Sequence, residues 1–269
     1  MRSWTHTRQA MIGILPSPTS HQTSELSFAT TFYMTYNSHT RKLIARIAKP
    51  NIFDIPRQWL NIEMEKMLKS DFLSRVEKSQ LAGWDWLRSV YFDFFTGPYT
   101  DSRKSASWHL TPNSPPNRLP SIVAQTGWAE DLPNLLEDME LWLQGGYPHV
   151  KLVLLFAWSE QEESTACEIG VYERTSAGTT RERFHATVPP HTGDVEEHSG
   201  IPIMRSDLFG ACDVPTECNP ADIYNFSPAR LRGLRIQREQ EGKRERLKQR
   251  MNTLREMMYD SDGLGGGEE

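Results

Sequence analysis

Chemistry in this sequence would have to begin with a few short polar patterns. Ser105, Ser107 and His109 alternate along one segment, and Gln125 stands in a second segment of the same kind. A Ser beside a His suggests a nucleophile and its general base. No orienting acid or oxyanion device accompanies them in the sequence, so a polar pocket without turnover is the expectation. Asp138, between Glu137 and Glu140, reads either as a site acid or as one residue of a solvated helix face. His185, His191 and His198, with Asp194, Glu196 and Glu197, form a metal-capable cluster, but their histidine spacings of six and seven residues fit no tight ligand motif. A solvated loop is expected there. Arg230, Arg232, Arg235 and Arg238 recur along one stretch and either grip phosphates or lace a solvated helix with ion pairs.

The elements that would position these residues follow from periodicity. Asp54 and Pro56 signal a helix start, and Leu60, Met64, Met67, Leu68, Phe72 and Val76 predict one helix to about Lys78. That spacing leaves Glu63, Glu65, Lys66 and Lys69 for solvent. Ser105 to Leu110 alternates and predicts one half-buried strand, with Ser107 and His109 on one face and Ala106, Trp108 and Leu110 on the other. Ser121 to Thr126 predicts its hairpin partner, with Val123 and Gln125 sharing a face. Asp131 is placed to cap the next helix, whose apolar stripe runs from Leu132 to Leu143 and ends at Gly145-Gly146. Val150 to Trp158 predicts a buried central strand. Glu168 to Arg174 and Glu182 to Val188 predict two further strands around a turn at Gly178, at the sheet edge. Pro189 to Asn225 reads as loop. Ser227-Pro228 opens a long polar helix in which Leu247, Met251, Leu254 and Met258 have heptad-like spacing.

Composition narrows the class. The chain has 269 residues, 38% of them hydrophobic and 24% charged, with 8 Trp and 11 Phe, too rich in large apolar groups for a wholly disordered polymer. The apolar run from Leu152 to Trp158 is far shorter than the ~20 residues that cross a bilayer, and the first residues carry no signal-peptide core. Three cysteines without CxxC spacing suggest reduced thiols. The expectation is an intracellular protein, cytoplasmic or nuclear, with no membrane partner. Charge is divided: Ser227 to Met258 holds ten Lys/Arg and four Asp/Glu, whereas Arg118 to Gly200 holds five and fourteen. An acidic body offers no phosphate-binding surface of the usual kind. A partner, protein or nucleic acid, is therefore expected on the basic C-terminal helix, through Arg230, Arg232, Arg235 and Arg238 or through Leu247, Met251 and Leu254. The predicted organisation is a mostly disordered segment at 1–50, an α/β domain at 51–226, the basic helix at 227–260 and a flexible tail at 261–269.

The order helix, strand pair, helix, buried strand resembles the core of the restriction-endonuclease-like, or PD-(D/E)xK, nuclease superfamily. Leu119-Pro120-Ser121-Ile122-Val123-Ala124-Gln125-Thr126-Gly127-Trp128, followed by Leu136, Asp138, Trp142-Leu143 and Val150 to Leu155, is similar to a set of fungal proteins of unknown role in that superfamily. The similarity covers roughly residues 100 to 175. It implies an α/β fold with a mixed central sheet flanked by helices, extended here by the long C-terminal helix. An active member holds Mg²⁺ on an Asp and a Glu carried by the two hairpin strands, with a Lys nearby to orient water. The Asp position aligns with Ser107 and the Glu position with Gln125, so the resemblance implies degenerate positions, no cofactor and a catalytically silent interaction module. The alternative it leaves is a divergent Mg²⁺-dependent nuclease whose ligands have moved to Glu130, Asp131 or Asp138.

Overall fold

A computed structural model of the chain describes residues 32–47, 52, 54–81, 91–113, 119–161, 164–189, 200–212, 214–215 and 217–262. In chain order the elements are β1 (Phe32–Asn37), β2 (Lys42–Ile47), α1 (Asp54–Lys69), α2 (Arg75–Leu81), β3 (Tyr91–Phe92), β4 (Arg103–Ser105), β5 (Trp108–Leu110), β6 (Ile122–Trp128), α3 (Leu132–Glu140), β7 (Leu152–Gln161), β8 (Ser164–Arg174), β9 (Thr180–Val188), β10 (Ile201–Met204), α4 (Arg205–Phe209), β11 (Ile223–Phe226) and α5 (Pro228–Asp262). The protein is a mixed α/β structure with several sheets and a long C-terminal helix.

The principal sheet has the order β5-β6-β7-β8-β9 and is mixed, because β6 and β7 run parallel while their outer neighbours are antiparallel. Parallel neighbours need a crossover connection, usually a helix, and α3 supplies it here. Alternation along β7 then makes two cores. Leu152, Leu154, Phe156 and Trp158 enter one, shared with Trp59, Leu60, Met64 and Met67 of α1. Val153 and Leu155 enter the other, beneath Leu135 and Met139 of α3 and the Trp142 ring that follows. Apolar on both faces, β7 is the central strand that its continuous run predicts. Trp59 anchors the first core: its ring meets Phe156 and Phe226 at 5.8 and 5.9 Å, and its Nε1–H donates to the Ser227 carbonyl at 2.8 Å. No helix among the described residues is long and apolar enough to cross a membrane.

Several predicted boundaries move. Part of the segment expected to be mostly disordered at 1–50 is ordered: β1 and β2 form a hairpin, and β1 also pairs with β4, giving a second sheet of order β2-β1-β4-β3. The helix expected from Asp54 to Lys78 breaks at Ser70 to Ser74. Ser74 and Glu77 form the reason for the restart: the Ser74 N–H donates to Glu77 Oε2 at 2.8 Å and the Glu77 N–H to Ser74 Oγ at 3.3 Å. That reciprocal pair is a capping box, legible as Ser-x-x-Glu. The break turns Val76 outward and Glu77 inward. Glu63, expected in solvent, is buried against Arg230, at 2.6 Å.

Other corrections concern caps and loops. Asp131 occupies the N-cap position of α3 without a side-chain cap bond, and Pro133 near the helix start presets the first turn instead. After Glu140 the helix widens into a π-helical turn, Leu141–Gly145. Gly145 is required there, since a Cβ would stand 2.7 Å from that of Tyr99. The β8–β9 turn is built on Gly178 at φ +87, as its position between two strands predicts. The region 189–225, read as loop, contains β10, α4 and β11, the two strands forming an antiparallel ribbon. Their apolar residues, Ile201, Ile203, Leu208, Phe209 and Phe226, complete the first core.

The last helix has two parts. Leu231 and Arg235 are fully buried, and α5 packs on α1 and β9, so its first turns belong to the body rather than projecting from it. From Lys243 to Arg255 every side chain is exposed. We expect a chain ending after Gly242 to melt close to the full-length temperature. A chain ending before Ser227 loses Leu231, Arg230 and Arg235 together and should melt at a markedly lower temperature, as followed by circular dichroism.

Candidate functional site

β6 turns Val123 and Gln125 toward α3, on the face opposite Ile122 and Ala124. The β5–β6 register sets Trp108 against Ala124 and His109 against Val123, and its continuation sets Ser107 across from Gln125. Ser107 is not inside a strand. The single strand expected from Ser105 to Leu110 is two short ones in different sheets, and the chain passes between them through Ala106 and Ser107. The Ser107 N–H still donates to the Ala124 carbonyl at 3.1 Å. The alternation fails at the crossing, for Ala106 packs on the α3 side while Trp108 and Leu110 enter the opposite core.

Gln125 is buried, and its Nε2–H donates to the Ser105 carbonyl at 3.0 Å. Its amide thus ties the end of β4 to the principal sheet. His109 packs edge-on against Phe92, with ring centroids 5.1 Å apart. The imidazole beside Ser107 is therefore held by aromatic packing.

Asp138 corrects the reading of a solvated helix face. Its side chain is 2% exposed and its Oδ2 lies 2.5 Å from Nζ of Lys104, which is equally buried. Lys104 also donates to Thr35 Oγ1 at 2.5 Å. Thr35 and Lys104 are register partners on β1 and β4, so adjacent strands present both groups to one helix position. No sequence pattern announces this lysine, because its β-strand is three residues long and pairs with segments far away in the chain.

The neighbouring carboxylates of α3 are drawn to other partners. Glu137 accepts from Lys42 of β2 at 2.6 Å. Partial burial acts to raise its pKa, but the bonds from Lys42 and Thr40 prevail and hold the carboxyl below its usual range. Glu140 accepts from Thr180 at the start of β9. Glu130 is exposed and Asp131 half-buried at the helix start; Asp131 is seven residues from Asp138, or about 10 Å along a helix axis. These groups do not converge as two carboxylates on one Mg²⁺ would. Among the described residues no group of three His, Cys, Asp or Glu is placed to hold a metal ion. His185 pairs with Glu182 at 3.0 Å; His191, Asp194, Glu196, Glu197 and His198 lie outside the described residues.

Two arginines of α5, Arg230 and Arg235, serve the fold. Arg230 binds both oxygens of Glu63 at 2.6 and 2.8 Å, Arg235 donates to the carbonyls of Thr165 and Pro189, and Arg238 pairs with Glu241 at 3.2 Å. Arg232 is half-buried on the same helix. As a phosphate grip this row is corrected: two of its four members are locked against the body. Leu247, Met251 and Leu254 are at 60%, 57% and 61% exposure, clear of the body.

A second buried charge cluster escaped the sequence. Arg205 donates to both Glu77 oxygens at 2.7 Å and to the Phe72 carbonyl at 2.5 Å, and its guanidinium lies 4.5 Å from the Phe72 ring centre. The Ser74-x-x-Glu77 spacing was the available signal. Cys218 donates its thiol to Glu77 at 3.5 Å, and burial followed by the Glu77 charge raises its pKa. Cys167 is fully buried and its thiol is also pushed up by desolvation. None of the three cysteines is in a disulfide, in keeping with reduced thiols, and the raised pKa values of Cys167 and Cys218 leave those two thiols unactivated.

No family model matches the chain, and comparison with curated proteins and with solved structures finds no match either.

Two predictions follow from these pairs. Lys104→Met or Asp138→Leu alone leaves one charge buried and should reduce stability by about 3–5 kcal/mol; the double variant should recover a large part of that loss, measured by urea unfolding. Burial pushes the Glu77 pKa up, yet the bonds from Arg205 and Ser74 outweigh it and hold the carboxyl below its ordinary 4.5. A depressed folded pKa contributes stability that is present above about pH 4.5 and is lost as pH falls through the folded value. Glu77→Gln should flatten that acid limb in melting experiments across pH.

Proposed function

We propose that this chain is a non-catalytic interaction module, built on a nuclease-like α/β core and presenting the distal part of α5 to a partner. The observation that carries the reading is the condition of the candidate site. Asp138, the buried candidate acid on α3, is paired with Lys104, and the amide of Gln125 is bonded to the Ser105 carbonyl. Both groups hold the two sheets and α3 together. A metal-dependent phosphodiesterase needs convergent anionic oxygens facing a phosphate, and these side chains are instead both tied to β4. The parallel β6-α3-β7 unit flanked by the β5–β6 hairpin supports the nuclease-like ancestry of the core. The bare distal half of α5, basic and with an apolar edge, supports the interaction role.

The test is direct. The full chain, incubated with single- and double-stranded DNA and with RNA in Mg²⁺ or Mn²⁺, should cleave none of them, and neither ion should raise its melting temperature. Cleavage that disappears in Glu130→Gln/Asp131→Asn would revive the alternative of a relocated site; both residues lie at the accessible helix start, so those variants keep the fold. A companion variant tests the geometry. Ser107→Asp with Gln125→Glu sets a carboxylate against the Ser105 carbonyl, which should lower the melting temperature, and Mn²⁺ should restore part of that loss if the two positions share a face.

A further inference from the structure

The heptad frame of the distal α5 determines which residues flank its apolar edge. With Leu247 and Leu254 at d and Met251 at a, the flanking e and g positions are Lys243, Lys248, Arg250 and Arg255. All four are basic, and all four are exposed. In a parallel pair of such helices, g of one faces e of the next heptad of the other, which sets Lys243 against Lys248 and Arg250 against Arg255. In an antiparallel pair, g faces g and e faces e, which again joins like charges. Pairing of this helix with its own copy is therefore opposed in either direction. Leu at d with an apolar a residue is nevertheless the seam of a two-stranded coil.

We propose that the distal α5 receives an acidic amphipathic helix of another protein, one that places Leu or similar residues on the Leu247–Met251–Leu254 seam and Glu or Asp opposite Lys243, Lys248, Arg250 and Arg255. This rests on the interaction-module reading and names the chemistry of its partner. Three observations favour a helix over the other anions a basic segment attracts. The apolar residues form a narrow 4-3 seam with the basic residues on both sides of it, the arrangement of a coil interface. A membrane-surface helix has a broad apolar face rich in Trp, Phe and Leu, and Lys243 to Arg255 contains no aromatic residue. A nucleic-acid-binding helix gains nothing from an apolar stripe through the middle of its phosphate contacts. The segment is helical although Lys243 to Arg255 touches no core, and a lone helix of this length is marginal in water. A docked partner supplies the missing apolar cover, and its acidic flanks bring the specificity that like-charge repulsion denies to other pairings.

The experiment titrates the full-length chain against labelled synthetic peptides of about four heptads with Leu at d and Ile at a, one carrying Glu at every e and g position and the other Lys. Fluorescence anisotropy should show the Glu peptide binding at least about tenfold more tightly than the Lys peptide. Leu247→Asp or Leu254→Asp should abolish that binding without shifting the melting temperature, because both side chains are clear of the body. Equal affinity for the two peptides, or binding unchanged by both Leu→Asp variants, overturns the inference. So does a salt-sensitive complex with short duplex DNA or with phosphatidylserine vesicles that persists in those variants and exceeds the Glu peptide in affinity. Those results would leave the arm an interaction element with a different ligand. A chain that binds neither peptide, nor DNA, nor vesicles, removes the interaction-arm reading itself.

Discussion

The contact between Lys104 and Asp138 constrains the rest of the molecule most tightly. Two opposite charges, each nearly inaccessible to water, must meet at one point contributed by β4 and α3, with Thr35 of β1 completing the set. Removing such charges from water is expensive, and their attraction repays the desolvation only if the geometry is good. The helix that joins the parallel strands β6 and β7 therefore cannot rotate or slide without exposing a buried charge. Gln125 adds a second tie from β6 to the end of β4. The small sheet and the principal sheet are locked through this face.

The opposite core is organised by a different kind of constraint. Trp59 fills it and reaches the Ser227 carbonyl at the entrance to α5, while Glu63, one turn later, holds Arg230. Burial drives the Glu63 carboxyl up, and the arginine beside it offsets part of that effect. The pairing fixes where the last helix starts and in which direction it leaves. Arg205, joined to Glu77, Phe72 and Asp222, does the corresponding work for the β10–β11 ribbon and α2. Glu63, Glu77, Lys104, Asp138 and Arg205 are thus buried fasteners between distant segments.

That division explains what was legible in the sequence. Apolar periodicity located α1, α3, β6, β7, β8 and β9 because each buries a face in a large core, and burial is what periodicity records. It failed where short elements depend on partners far along the chain. β4 and β10, three and four residues long, are too brief to carry a pattern of their own, and the Ser105 to Leu110 alternation concealed a change of sheet at Ala106 and Ser107. Charge was misread for the same reason. Asp138 and Glu63 occupy positions that a helical wheel assigns to the margin of the stripe, and only the lysine or arginine brought in from another segment makes their burial tolerable. The Ser74-x-x-Glu77 box was the one local signal that could have shown both the helix break and the inward turn of Glu77. Ser107 and Gln125 are expected on adjacent strands with side chains on one face; Ser107 lies outside both strands, across from Gln125 only in the continued register, and their surroundings depend on where β4 ends.

The two halves of α5 extend the same reasoning to function. In the first turns Arg230 and Arg235 each have a carboxylate or carbonyl of the body within reach. From Lys243 to Arg255 the composition keeps the basic residues, every side chain is exposed, and the apolar residues lie along a single edge. A segment selected only for solubility would have no need of Leu247, Met251 and Leu254 at heptad spacing. One selected for self-pairing would have alternated its flanking charges, as two-stranded coils do. A uniform sign on both flanks is the form that a surface takes when its complement is carried by a different molecule.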